Sequence, residues 1–287
     1  MNNSIHKGPI EPDGCMKCIK EYVQVAVYEL EKRYKQDQTT NENYVSARHL
    51  KLFDPVDISV RSPGVFLLTG DADSSRALFM RILQSIALER ETATRVVVQE
   101  GEGLDITNSL ISQEAQVDIT LDKRAWTDPK YLNSLLEPLT SVAESKIHIV
   151  DAPFLYASIA HASDCYNIRC LCVTGFPENN PVEVLKTLKG FSTGRSIPVI
   201  VLNSGEPIDH KDLWEHVDTS YHMEAVEGFE YLLMAESKRL KAKEEAKVML
   251  NPTRKWITSI DSKCIISTRE GSSYAQTIES KEISFWK

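Results

Sequence analysis

The sequence lacks several features that would assign it to a class at once. None of its apolar runs approaches the ~20 residues that a membrane-spanning helix needs. Its first residues, MNNSIHKGPIEPDG, are polar and lack the apolar core of a signal peptide. We therefore expect a cytoplasmic protein with no membrane partner. A composition of 42% hydrophobic and 26% charged residues is typical of a globular chain, and 287 residues can bury a sizeable core.

An excess of positive charge is also missing. The formal net charge of −8 argues against a surface coated with nucleic acid, although it does not exclude a local basic channel. Six cysteines are too sparse for a disulfide scaffold, and Cys170 and Cys172 lie in an apolar run. Cys15 and Cys18 have the spacing of half a zinc site. Because no second such pair follows, we expect no metal site.

One amphipathic helix is predicted near the start of the chain, over residues 15–37. Its apolar residues at helical spacing are Cys18, Ile19, Tyr22, Val23, Val25, Ala26 and Leu30. The stretch that follows, QDQTTNENY, has the composition of a linker. We therefore divide the chain into an N-terminal arm with a linker helix at 1–45 and a main domain at 46–287. We expect the apolar stripe to dock on a neighbouring subunit or partner, outside the core of the main domain.

From Gly64 onward, runs typical of strands alternate with segments typical of helices. The strand-like runs are VFLLT, RVVVQ, QVDIT, KIHIV, RCLCV and IPVIVL. The helical segments lie at 75–90, 104–113, 129–143, 154–163 and 181–191, and Asp128-Pro129 gives one of them a capped start. This alternation predicts an α/β fold with a mainly parallel sheet flanked by helices.

The last quarter of the chain is different. Residues 223–250 become densely charged, and we interpret them as a solvated helix, with a contact to nucleic acid or to a neighbouring subunit as the alternative. The tail, KCIISTREGSSYAQTIESKEISFW, alternates like a terminal hairpin with its turn near Glu270-Gly271.

Residues 67–79, LLTGDADSSRALF, have the outline of a phosphate-binding loop. An apolar run ends at Gly70, and a helix is predicted to begin near Leu78. A working loop has glycine, four residues, glycine, lysine and then serine or threonine. The corresponding region here holds Gly70, Ser74, Ser75, Arg76 and Ala77. Only the first glycine and a positive charge are present, and Ala77 offers magnesium no oxygen. By itself the loop favours an ordinary strand-to-helix turn over a relic phosphate loop.

Further motifs follow in a fixed order. ATRVVVQEGE places Glu100 at the end of a strand, and DITLDKRAWTDPKYLNSLLEPL precedes KIHIVDAP. RCLCVTGF ends its apolar run at Thr174, IPVIVLNSGE contains Asn203 and Ser204, and STREGSS contains Arg269. In order and spacing, more than in identities, these motifs resemble the RecA-like motor domain of DnaB-type hexameric replicative helicases. The helix at 15–37 is similar to that family's linker helix.

The resemblance implies a role for each of these residues. Glu100 corresponds to the acid that activates water, and Thr174 stands where the Walker B acid would be. Asn203 and Ser204 replace the polar sensor pair. Arg269 corresponds to the residue of a terminal hairpin that reaches the nucleotide of the next subunit. An alternative Walker B strand is 147–151, which ends in Asp151, but the order of strands favours 170–174 because the sensor strand should follow after one helix.

The sequence thus predicts a helicase-like pseudo-ATPase with a degenerate phosphate loop, acting in DNA replication of a host or a mobile element. No cofactor is expected beyond weak binding of ATP with magnesium, since the lysine, the magnesium hydroxyl and the Walker B acid are all missing. The expected partners are a replicative helicase or another replication protein in an oligomer, with single-stranded DNA as a further candidate. The alternatives are a divergent active ATP-dependent DNA helicase and a non-replicative assembly module on the same fold.

Overall fold

The computed structural model describes residues 15–36, 63–89, 91–99, 101–120, 128–151, 168–174, 181–204, 215–237, 242–251, 256–261 and 268–269. The helices in these ranges are α1 Ile19–Gln36, α2 Ala72–Gln84, α3 Gly103–Ala115, α4 Pro129–Glu144 and α5 Pro181–Arg195, and a π-helical turn, Ser85–Glu89, continues α2. The strands are β1 Cys15–Cys18, β2 Gly64–Gly70, β3 Thr94–Val98, β4 Ile147–Asp151, β5 Cys170–Thr174, β6 Pro198–Ser204, β7 Thr219–Glu227, β8 Glu230–Ser237, β9 Ala242–Leu250, β10 Ile257–Asp261 and β11 Thr268–Arg269.

All of these strands belong to one mixed sheet. Its order is β1-β4-β3-β5-β6-β2-β7-β8-β9-β10, and β11 pairs with β9 beside β10. The strands from β4 to β7 in this order are parallel, while β1 and the strands after β7 are antiparallel to their neighbours. The predicted α/β fold with a mainly parallel, helix-flanked sheet is confirmed. The turn of the predicted terminal hairpin and the predicted helix at 154–163 lie outside the described residues.

The parallel strands β2, β5 and β6 are apolar over most of their length because helices cover both faces of the sheet. Phe66 and Leu68 of β2 pack in a core with α1, α2, α3 and α4. Val65 and Leu67, which alternate with them, pack against α5 on the opposite face. We call these the helix-rich face and the α5 face. None of the helices in the described ranges is long and apolar enough to cross a membrane.

The N-terminal element differs from its prediction. Residues 15–18 form a strand and not the first turn of the helix, because the open edge of β4 pairs with them from Cys15↔Asp151 to Cys18↔His148. The apolar stripe of α1 is buried in the helix-rich core of the same chain, where α1 contacts α3 and α4. The expectation that a neighbour covers this stripe is therefore wrong for this structure. The boundary proposed at residue 45 lies outside the described residues and stays a prediction.

The run QVDIT, predicted as a strand, is a turn after α3. Gln116 ends the helix in the left-handed region, with φ of 55°. Asp118 Oδ1 then accepts hydrogen bonds from the backbone N–H of Thr120 at 3.0 Å and from its hydroxyl at 2.6 Å. This local side-chain bonding holds the backbone in a turn, which the short alternation of apolar residues did not indicate.

The charged region at 223–250, predicted as a helix, consists of strands β7, β8 and β9. Its buried residues recur with a period of two, as a sheet requires. These residues are Tyr221, Met223, Tyr231, Leu233, Ala246, Val248 and Leu250. All seven face the helix-rich core. Because charged residues are dense at 236–247, this alternation was not recognised in the sequence.

Candidate functional site

Most of the predicted site residues that the structure describes gather at one edge of the sheet. Strands β2, β6, β5, β3 and β4 are parallel, so their carboxyl ends lie together. Thr69 pairs with Asn203, Gly70 with Ser204, and Thr174 with Leu202 of the intervening β6. In open α/β sheets the crevice outside this edge is where ligands bind. We call it the carboxyl edge.

The first junction at this edge, from β2 to α2, consists of one residue. The helix begins at Ala72, so the prediction that it begins near Leu78 is wrong. The cause is Asp71, whose carboxylate caps the helix. Its Oδ1 accepts the N–H groups of Asp73 at 3.1 Å and of Ser74 at 2.9 Å. A carboxylate of the chain itself thus satisfies the amides that would face a phosphate.

The other loop residues take part in the same junction. The Ser74 hydroxyl donates to Asp71 Oδ2 at 2.8 Å, and the Ser75 hydroxyl donates to the Asp71 carbonyl at 2.7 Å. Both serines are fully buried. Ala77 is also fully buried, in the helix-rich core, while Arg76 is half-buried. The position where a phosphate loop has its magnesium ligand therefore lies in the apolar interior.

Gly70, the glycine that the loop retains, is required by packing. Its φ is +143°, which side-chain-bearing residues rarely adopt. A Cβ at this position would lie 2.8 Å from the carbonyl oxygen of Met223 in β7 and 3.2 Å from Ser74 Oγ. The approach of β7 explains this glycine without a nucleotide.

Between β2 and β7, Thr69 lies beside a histidine that sequence reasoning did not identify. Thr69 Oγ1 is 2.9 Å from His222 Nδ1 and donates to the Tyr221 carbonyl at 3.3 Å. Burial lowers the pKa of His222 from its ordinary value of 6.5, and the nearby Glu224 carboxylate opposes this shift. His222 therefore favours the neutral imidazole in the fold.

The second junction, from β3 to α3, brings a different acid to the edge. Glu100 lies outside the described residues, and Glu102 is the residue before α3. The Thr174 hydroxyl donates to Glu102 Oε2 at 3.1 Å. Thr174, which stands at the Walker B position of the resemblance, is thus buried and bonded to a carboxylate 72 residues away along the chain.

Asp151, the alternative Walker B acid, has two partners in the fold. Its Oδ1 accepts the N–H of Gly101 at 2.8 Å, and its Oδ2 accepts the hydroxyl of Tyr22 at 3.1 Å. Strand β4 is separated from β2 by β3, β5 and β6. Asp151 therefore joins α1 to the second junction, while Thr174 lies on the strand next to β6.

Three predicted residues remain, two at the end of β6 and one on another strand of the sheet. Asn203 is half-buried and Ser204 is exposed at the end of β6. Arg269 lies on β11, where its backbone pairs with Ala242, and its side chain is not among the described ones. Within the described part of the chain, no three His, Cys, Asp or Glu side chains are grouped so as to hold a metal ion.

Two residues that form contacts at the carboxyl edge differ in how well the sequence could have identified them. Asp71 is a preferred N-cap residue and directly precedes an apolar helix, which is a capping signal that could have been found. Glu102 has no such signal, because its contact with Thr174 depends on the pairing of β3 with β5.

Two solved structures are similar to this chain in fold. The solved ATPase domain of one DnaB-like helicase superposes with a TM-score of 0.56 at 9% identity, covering 69% of this chain and 84% of that chain. The fold is that of a DnaB-like helicase ATPase domain. A DnaB-like replicative helicase, in a structure that describes its interactions with primase, superposes with a TM-score of 0.54 at 10% identity over 70% of this chain.

The chain spans 58% of the length of that DnaB-like replicative helicase. No family model and no curated protein matches the sequence. At identities of 9% and 10% the likeness concerns the RecA-like fold, and the roles of the individual residues at the carboxyl edge need arguments of their own.

Proposed function

We propose that this protein is a helicase-like pseudo-ATPase that acts in DNA replication as a partner-binding or ring subunit, and that the carboxyl edge no longer serves as a nucleotide site. The fold of a DnaB-like ATPase domain supports the first part of this proposal. The observation that carries the second part is the position of Asp71.

Asp71 replaces a phosphate both chemically and sterically. The helix N-terminus attracts one anion, and the Asp71 carboxylate occupies that position with hydrogen bonds of 2.9 and 3.1 Å to backbone amides. An incoming triphosphate would have to displace this carboxylate and would meet its negative charge at short range. Asp73, exposed in the first turn, adds a second negative charge.

The positions of the magnesium ligand and of the Walker B acid also differ from those of an active ATPase. The transferred phosphoryl group needs magnesium and positive charge to neutralise it. Here Ala77 is buried in the core and Thr174 donates its hydroxyl to Glu102. Each of these positions has a structural role that competes with catalysis.

Calorimetric titration with ATP and magnesium tests the nucleotide part. We expect no binding in the micromolar range and no hydrolysis with or without single-stranded DNA. Asp71→Gly, which releases the two amides, should give weak binding without turnover, while Asp71→Asn, which keeps a capping oxygen, should not. Arg76→Lys with Ala77→Thr should not restore binding because Ala77 lies in the core. Micromolar binding by the unmodified protein would instead favour a divergent active ATPase.

A mixing experiment tests the partner part. The protein is combined with the replicative helicase of the same source, and the mass of the complex is measured by light scattering. If Arg269 reaches the partner's nucleotide, Arg269→Ala should lower hydrolysis at the shared interface by a factor of ~10³. No complex would argue for a non-replicative assembly module, and equal hydrolysis with both forms would make Arg269 an ordinary strand residue.

A further inference from the structure

The segment Cys15–Gln36, which forms β1 and α1, touches the second junction of the carboxyl edge through Tyr22. We call it the β1–α1 segment. Tyr22 is buried, and its hydroxyl donates to Asp151 Oδ2 at 3.1 Å. Its ring lies against Gly103, where a Cβ would be 2.5 Å from the Cζ atom of the tyrosine. Tyr22 therefore contacts both the last residue of β4 and the first residue of α3.

The second junction is a tight turn that is bonded to β4. The N–H of Glu102 donates to the carbonyl of Gln99 at 3.0 Å, and Gly101 between them has a φ of +89°. This φ is close to that of the third position of a type II turn, where glycine is favoured. The N–H of Gly101 donates to Asp151 Oδ1 at 2.8 Å. The carboxylate that Tyr22 bonds therefore also holds the turn.

Glu102 lies between two backbone positions that other elements hold. Gly101, on one side of it, is bonded to β4, and Gly103, on the other side, is covered by the tyrosine of α1. Within the described residues, the Glu102 carboxylate makes no capping bond to α3, and its Oε2 accepts the hydroxyl of Thr174 at 3.1 Å. The position of this carboxylate therefore depends on the backbone on either side, which β4 and α1 support.

The contacts of Tyr22 connect a movement of α1 to a movement of the junction. Protein interiors are close-packed and transmit displacements from one group to the next. If α1 moves away from α3, the Asp151 carboxylate loses the donor that Tyr22 supplies, and Gly103 loses the ring that covers it. Phenylalanine would fill the same space as this tyrosine. The hydroxyl is therefore the part of Tyr22 that packing alone does not explain.

We infer that docking of the β1–α1 segment positions Glu102 at the carboxyl edge, and that separating Glu102 from Thr174 loosens the segment in return. A coupling free energy between two sites acts equally in both directions. The β1–α1 segment is thus a conformational device that links the second junction to the outer edge of the sheet, where β1 lies. The inference concerns a different junction from the one that decides the nucleotide question, and it goes beyond the function proposed above.

Amide hydrogen exchange of the full chain, measured by nuclear magnetic resonance, tests the first direction. Tyr22→Phe keeps the ring and removes the hydroxyl. The amides of Glu102 and Ile106, which bond to the carbonyls of Gln99 and Glu102, should then exchange about fivefold faster, the change expected for one lost hydrogen bond. The control is Tyr231→Phe, which removes a hydroxyl from a buried tyrosine of β8. It should leave both amides within about twofold of the unmodified protein.

A second pair of variants tests the reverse direction. Thr174→Val removes the hydroxyl that Glu102 accepts and keeps a branched side chain of similar size. The β1 amides that pair with β4 should then exchange about fivefold faster, although Thr174 lies on β5 and β1 does not pair with that strand. Thr69→Val is the control, because Thr69 is equally buried at the carboxyl edge but bonds to His222 and Tyr221 of β7. It should leave β1 unchanged within about twofold.

Faster exchange in both directions, with both controls unchanged, is the expected result. Faster exchange of Tyr22→Phe that is confined to α1, or unchanged β1 amides in Thr174→Val, would show that each contact is only local and would overturn the inference. Equal increases in the variants and in their controls would show a general loosening of the chain and would overturn it as well. None of these outcomes depends on whether ATP binds, so the failure of this inference and the failure of the pseudo-ATPase proposal are separately visible.

Discussion

Two strand-to-helix junctions lie at the carboxyl edge, after β2 and after β3, and they hold their acids in opposite ways. In the first, Asp71 turns inward and bonds the amides of its own helix. In the second, Glu102 precedes α3 without a side-chain capping bond and receives the hydroxyl of Thr174 from β5. The first junction is complete within the first turn of α2. The second depends on β4, β5 and α1, because Asp151 accepts from both Gly101 and Tyr22.

Under the proposed function, these are two ways in which an edge of this fold becomes structural. One substitution that places a carboxylate beside the helix N-terminus is enough to occupy the position of an anion. A network between strands needs several residues to fit one another, and it then joins the edge to distant parts of the chain. The same fold can therefore replace ligand contacts with contacts of its own by either route.

The largest effect is expected at the first junction from Gly70→Ala. The new methyl group would lie 2.8 Å from the Met223 carbonyl, at a φ of +143°. Because the neighbour is backbone, β7 would have to shift, and we expect a loss of about 3 kcal/mol or more in the free energy of unfolding, measured with urea.

Gly190→Ala is the control for this substitution. It adds the same methyl group on α5, with no atom within 4 Å, and should stabilise the protein by about 0.5–1 kcal/mol. A loss below about 1 kcal/mol for Gly70→Ala would contradict the view that this glycine is retained for packing.

At the second junction, Gly103→Ala should have a smaller effect. Its Cβ would lie 2.5 Å from the Tyr22 ring, which can move, although moving it breaks the hydrogen bond to Asp151. We expect a loss of about 2 kcal/mol. In a Tyr22→Ala background the loss should disappear, because the contact no longer exists. A loss of the same size in both backgrounds would exclude Tyr22 as its cause.

Removing each acid compares the two junctions directly. Asp71→Ala should lower the free energy of unfolding by about 1–2 kcal/mol through loss of a helix cap. Asp128→Ala, at the capped start of α4, should have an effect of about 1 kcal/mol and calibrates the measurement. Glu102→Ala should be less destabilising than Asp71→Ala. The reverse order would show that the second junction is the stronger one.

The smallest effect concerns pH. The pKa of His222 is lowered in the fold, so below 6.5 the unfolded chain binds more protons than the folded one. The contribution of His222 to stability is therefore complete above pH 6.5 and is lost as the pH falls toward its folded pKa. His222→Gln should flatten the decline of the melting temperature between about pH 7 and 5. The pKa of His148 is also lowered in the fold. The melting temperature of His148→Gln over the same pH range is therefore compared with that of His222→Gln.

Sequence reasoning succeeded where one local pattern decides the structure. Strands β2, β5 and β6 are largely apolar runs because both faces are covered, and Asp128-Pro129 gave the start of α4 correctly. It failed where a distant pairing decides. Residues 15–18 continue a helical pattern, yet the free edge of β4 makes them a strand. The partners of Thr174 and Asp151 follow from strand order alone, which no short stretch of sequence contains.

The junction between β2 and α2 is a third case, in which two local sequence patterns predicted different structures. The spacing from Gly70 to Arg76 suggested a phosphate loop, whereas Asp71 already had the residue type of a helix N-cap. A cap that satisfies its helix leaves no reason for a longer loop.

The pairing of β1 with β4 also affects how the chain can fold during synthesis. Cys15–Cys18 can pair with its partner strand only after Asp151 has been made, about 130 residues later. At ~5–20 residues per second this delay is roughly 7 to 26 s. The central strand β2 waits equally long, because its neighbours β6 and β7 begin at Pro198 and Thr219. Assembly of this sheet is therefore mostly a late event, and folding should be slow for a chain of this size.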